Sequence, residues 1–92
     1  MFLATKIEAF NDRGDGDLQA SHDAEDVFVV VDGRPSIVSD VAAASPEARS
    51  FIAEELGKWI AAADFPNALE GALEPGRDAI AEPRLRRIAE LG

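Results

Sequence analysis

The chain has 92 residues, 47% of them apolar, enough for one small core and against a wholly disordered chain. Acidic residues outnumber basic ones 18 to 9 and leave a net charge of −9, which speaks against nucleic acid as a partner and against docking on anionic membrane. No cysteine is present, so disulfide frameworks and cysteine zinc sites are excluded, and no apolar run reaches the ~18 residues of a membrane span.

Met1 to Asp12 reads as a helix, with Phe2, Leu3, Ile7 and Phe10 on one face and Lys6 and Glu8 outside it. The two charges also exclude a signal peptide, so the expected location is cytoplasmic. The helix starts at the initiator with no capping residue, as if the chain began in the middle of something. Arg13 to Ala20 carries Gly14 and Gly16 among charged residues and reads as a loop.

Ser21 or Asp23 can cap the next element, and Asp23, Glu25 and Asp26 load its first turn with negative charge, which suits a helix dipole. Val27-Phe28-Val29-Val30-Val31 is β-branched, and Asp32-Gly33 could turn a hairpin into Ser36-Ile37-Val38. Arg34-Pro35 breaks the second strand at once, and a lone hairpin is not stable. A buried helix from His22 to Val31, stopped by Gly33 and Pro35, is the better reading.

Ser36 to Ala44 reads as a short helix. Ser45 caps the next, Pro46 takes its first position, and it runs to about Ala63 on the stripe Ala48, Phe51, Ile52, Leu56, Trp59, Ile60 and Ala63. Asp64 can cap Pro66 to Leu73, which Glu74-Pro75-Gly76 ends. Pro83 opens or kinks a last helix carrying Ile80, Leu85, Ile88 and Leu91. The expected fold class is all-α, a single antiparallel bundle of about five helices.

Asp15-Gly16-Asp17 spells a metal-holding D-x-D pair, but it lies in a glycine loop with no apolar strand before it, so it reads as solvated. A calcium loop over Asp15, Asp17, Gln19, Ser21, Asp23 and Asp26 would need glycine where Ala20 stands. His22, Asp23 and Asp26 can share a helical face as a polar cluster, able to bind a metal, act as a base or hold a basic residue. The bland alternative is an acidic first turn that satisfies the helix dipole. A single histidine excludes sites of two or three histidines, and no serine has a histidine base in a motif. Arg84, Arg86 and Arg87 form a small basic patch that suits a helix end and could meet a partner.

The order of residues is more specific. Lys6-x-x-Ala9-x-x-x-Arg13 precedes a glycine loop, then Ser21-His22-Asp23-x-Glu25-Asp26, an apolar run and Asp32-Gly33-Arg34-Pro35. This resembles the C-terminal helical half of nucleotidyltransferase-like proteins of the AbiEii toxin type, over about the first 35 residues. The resemblance implies that Val27–Val31 is helical and that the catalytic half, an α/β domain with a D-x-D strand, is absent. It implies that Lys6 and Arg13 are nucleotide-binding, Lys6 toward the phosphates, and that Arg13, Asp23 and Asp26 close the site or brace the two helices. On this reading the chain has no catalytic residue and no cofactor of its own; magnesium and a nucleoside triphosphate would enter with a catalytic half. The alternative is an acidic protein-binding module, antitoxin-like or regulatory, with a protein partner or a second copy covering an exposed apolar patch near Met1, Phe2 and Leu3.

Overall fold

The run Val27–Val31 is helical. In the computed structural model, which describes residues 2–13 and 17–91, it forms the middle of α2 (His22–Gly33). The other helices are α1 (Phe2–Arg13), α3 (Ile37–Ala42), α4 (Pro46–Ala61), α5 (Phe65–Ala72) and α6 (Asp78–Ala89). No strand occurs among the described residues. The architecture is all-α, with six helices among the described residues where about five were expected.

Helical spacing explains how a β-branched run folds this way. Val27, Phe28 and Val31 fall on one arc and are fully buried, while Val29 is half exposed on the other side. A strand would alternate them instead. Ser21 fixes the start: its Oγ accepts from the Ala24 amide at 3.1 Å. Asp23 lies inside the first turn and does not cap. The helix runs two residues past Val31, because its last carbonyls find a partner in Arg84, described below.

Ser45 caps α4 as expected, accepting from Ala48 at 3.3 Å with Pro46 behind it. The start of α5 departs from expectation. Asp64 makes no side-chain cap to α5; its Oδ2 accepts from the Leu18 amide at 3.1 Å and ties the first loop to the α4–α5 corner. Ser36 turns its hydroxyl to Asp40. Helix α4 ends at Ala61, so Ala63 lies outside it and is exposed. Pro83 neither opens nor ends α6 but sits in its interior, on the solvent side, where only the Ala79 carbonyl loses its helical donor. Gly76, at φ +87°, supplies the left-handed residue of the turn that closes with Arg77 N–H on the Glu74 carbonyl.

One core joins the helices. Leu3, Ile7 and Phe10 meet Val27, Phe28 and Val31, and Ile52, Leu56, Trp59, Leu85 and Ile88 close it from α4 and α6. Trp59 sits at its aromatic centre, 5.0 Å from Phe10 and 5.8 Å from Phe28, and Phe28 continues to Phe65 at 6.1 Å. Phe2 departs from the expected inward stripe: it is 48% exposed, while its neighbour Leu3 is fully buried. Among the described residues no helix is long and apolar enough to cross a membrane.

Candidate functional site

Helices α1 and α2 run antiparallel, so early residues of one face late residues of the other. Lys6 meets Asp26, and Arg13, further along α1, meets Asp23, nearer the start of α2. The 3.6-residue period puts Phe2, Lys6 and Arg13 near one line of α1, and that line overlooks the acidic turn of α2.

The geometry is close. Lys6 Nζ lies 2.8 Å from Asp26 Oδ2 and 3.6 Å from Asp23 Oδ1. Arg13 Nε donates to Asp23 Oδ2 at 2.8 Å. The structure thus brings Lys6, Arg13, Asp23 and Asp26 into one cluster. Two halves of it differ in burial. Asp23 is 7% exposed and held from two sides. Asp26 is half exposed, and Lys6 keeps part of its side chain in water. The hydrogen bond to Asp26, with the nearby Asp23 charge, holds the Lys6 ammonium above its ordinary pKa, so it stays cationic. An ammonium has three donors, and Asp26 takes one at short range.

His22 departs from the expected polar cluster. As the first residue of α2 it points to solvent, and among the described residues it has no polar partner. Asp23 turns instead toward α1. The calcium-loop reading also fails among the described residues. Asp17 Oδ1 accepts from its own loop, from Gln19 at 3.0 Å and Ala20 at 3.2 Å, while Ser21 caps α2 and Asp23 is ion-paired. Asp15 and Gly16 lie outside the described residues.

The basic patch is not a patch. Arg84 turns inward and donates from Nη1 to the Val31 carbonyl at 3.1 Å and the Asp32 carbonyl at 2.7 Å. Arg86 pairs with Glu82 one turn back, and Arg87 stays in solvent. Arg77 adds an ion pair with Asp32, Nη2 to Oδ1 at 2.8 Å. None of the α2–α6 contacts was read from sequence, and the only local signal was an unsatisfied helix end followed by Arg34-Pro35.

A second feature missed from sequence adjoins the cluster. Lys6 Nζ lies 5.8 Å from the centroid of the Phe2 ring. Phe2 in turn lines a groove of about 390 Å³ with Leu3, Val30, Ile37, Arg34 and Asp40. Arg34 Nε donates to Asp40 Oδ2 at 2.6 Å across that rim.

Comparison with known proteins finds no matching family model, no similar curated protein and no similar solved structure.

Proposed function

We propose that this chain is the helical half of a nucleotidyltransferase-like protein and that its α1–α2 face meets the phosphates of a nucleotide. The observation that carries the reading is the convergence of Lys6, Arg13, Asp23 and Asp26, the charged residues of the motif that resembles the AbiEii type. Asp23 is the positioning residue: buried, it fixes Arg13 and helps to hold Lys6. Lys6 is partly exposed and has three donors, of which Asp26 takes one at short range, and a point charge of that kind suits a phosphate oxygen.

The described residues supply no metal cage to this reading. Asp23 is committed to Arg13 and Lys6, so Asp26 is the one carboxylate of the cluster with an oxygen free of ion pairs. Magnesium is held by one or two carboxylates together with substrate phosphates, so Asp26 could add one ligand to an ion carried in on a nucleotide. On this reading the transfer chemistry belongs to a catalytic half, and the isolated chain is expected to bind a nucleotide without turning it over.

Titration of the chain with ATP, followed by backbone and side-chain NMR, tests the reading. Shifts centred on Lys6, Arg13 and Asp26, lost in Lys6→Ala with the rest of the spectrum intact, are expected. The absence of shifts there, or equal shifts in Lys6→Ala, overturns it.

One observation favours a second reading, an acidic module for a basic protein partner. Of the nine cations, Lys6, Arg13, Arg34, Lys58, Arg77 and Arg86 are paired with carboxylates, and Arg49 and Arg84 donate to backbone carbonyls. The charge left uncompensated on the surface is negative, which steers a cationic partner. Salt-sensitive binding of a Lys- and Arg-rich peptide, without any response to ATP, would select this reading.

A further inference from the structure

The Phe2 side chain is out of place for a core residue. Its helix buries Leu3, Ile7 and Phe10, yet the Phe2 ring stands half in water with an ammonium beside it. An exposed aromatic face next to a cation is what a nucleotide needs, a π-surface for the base and a charge for the phosphates. The rest of the groove completes the setting. Leu3, Val30 and Ile37 give it an apolar floor, and its volume of about 390 Å³ falls in the range of small-molecule sites.

Its rim is polar in the right sense. Arg34 and Asp40 meet through Nε and Oδ2, and Ser36 donates to that same oxygen at 3.0 Å. That arrangement leaves the Arg34 terminal amino groups and Asp40 Oδ1 outside these bonds, a donor and an acceptor fit to meet a base edge. Phe2 and Lys6 are four residues apart on α1, so about 6 Å of helix separates their backbones. The charged cluster and the groove are therefore consecutive stretches of one surface.

We propose that the groove between α1, α2 and α3 seats the base of the nucleotide, stacked on the Phe2 ring, with its phosphates leading away toward Lys6. The inference rests on the nucleotide reading above and adds the residue that holds the base. Phe2 contributes affinity for the nucleoside part only, and Lys6 contributes affinity for the phosphate part only.

The experiment separates the two. Wild type, Phe2→Ala and Phe2→Tyr are titrated with ATP and with inorganic tripolyphosphate, and binding is read from the NMR shifts of Lys6 and Val30. Phe2→Ala should weaken ATP binding about 5-fold to 100-fold, the range of one lost base stack, and leave tripolyphosphate binding unchanged. Phe2→Tyr should restore ATP binding. Because Phe2 is half exposed, the Ala variant keeps the core, which its unchanged remaining spectrum verifies. Tripolyphosphate and ATP binding that are both indifferent to Phe2→Ala overturn the base site while the phosphate reading stands. Failure of both ligands to move Lys6 in wild type overturns the phosphate reading, and the base site with it.

Discussion

Arg84 Nη1 sits 2.7 Å from the Asp32 carbonyl and 3.1 Å from that of Val31, so a side chain of α6 closes the C-terminus of α2. The last carbonyls of a helix have no partner within it, and they carry its negative pole. A guanidinium answers both needs at once. Arg77 reinforces the contact through the Asp32 side chain.

Arg84→Ala is therefore expected to destabilise the fold by about 1.5 kcal/mol or more, the scale of hydrogen bonds to a charged donor. Arg84→Lys should recover part of the loss, since both bonds come from the single nitrogen Nη1 and an ammonium has the donors to make them. Urea denaturation followed by circular dichroism checks the order of the three chains. Equal midpoints would show that water serves the α2 carbonyls as well.

The two acids of the α1–α2 cluster should separate in the same measurement. Asp26 is half exposed, so Asp26→Asn should change stability by about 0–1 kcal/mol. Asp23 is buried between Lys6 and Arg13, and Asp23→Ala should cost about 1–3 kcal/mol, because it removes a short hydrogen bond to a charged group at a buried position. A larger loss at Asp26 would reverse the roles given to them here.

Stability should respond to pH at Glu55, at Lys6 and at Lys58, the last raised chiefly by its hydrogen bond to Glu55. Glu55 is held below its ordinary value of 4.5, first by the hydrogen bond from Lys58 and also by Asn11, against a desolvation that pushes the other way. A carboxyl lowered by folding stabilises fully above its unfolded value, and that contribution goes as pH falls through the folded one. Glu55→Gln should accordingly flatten the loss of stability below about pH 4.5. Lys6 is shifted the opposite way, raised above 10.5 chiefly by its hydrogen bond to Asp26. Its contribution is complete below 10.5 and disappears as pH rises through the folded value, so Lys6→Met should flatten part of the alkaline limb, with Lys58 keeping the rest. Denaturation midpoints at pH 3, 7 and 11 would decide, with ~1 pH unit of tolerance.

The valine run gives a direct contrast between neighbours. Phe28 is fully buried against Trp59 and Phe65, and Phe28→Ala should cost about 3–5 kcal/mol, a large share of the stability of a small domain. Val29 points out, and Val29→Thr should stay within about 0.5 kcal/mol. Comparable losses at both positions would contradict the helical phase of α2.

Lys6, Arg13, Asp23 and Asp26 could be placed together from sequence because they lie on two successive helices, and the antiparallel order follows from their connection. Arg84 could not be placed, since it meets a carbonyl 53 residues away and backbone acceptors leave no mark in the sequence. Asp64 misled for a related reason. An Asp before a helix usually caps it, but here the Leu18 amide from a distant loop takes the carboxylate. Phe2 fits the apolar arc by spacing alone, and periodicity cannot tell that the neighbouring helices cover Leu3 but leave the Phe2 ring half in water. Pro83 looked like a boundary, yet the core residues Ala81, Leu85 and Ile88 on either side keep α6 continuous.

Trp59 is the one tryptophan, and the chain contains no tyrosine, so its indole is the chain's main intrinsic fluorophore. Its neighbours come from different helices, Phe10 from α1 and Phe28 from α2, and Phe28 extends the contact to Phe65 of α5. The emission of Trp59 on α4 therefore reports on the assembly of four helices at once. A fraying end or a ligand on the Phe2 side should leave that signal unchanged. Coincidence of its transition with the helical signal would mean that the whole chain melts as one cooperative unit.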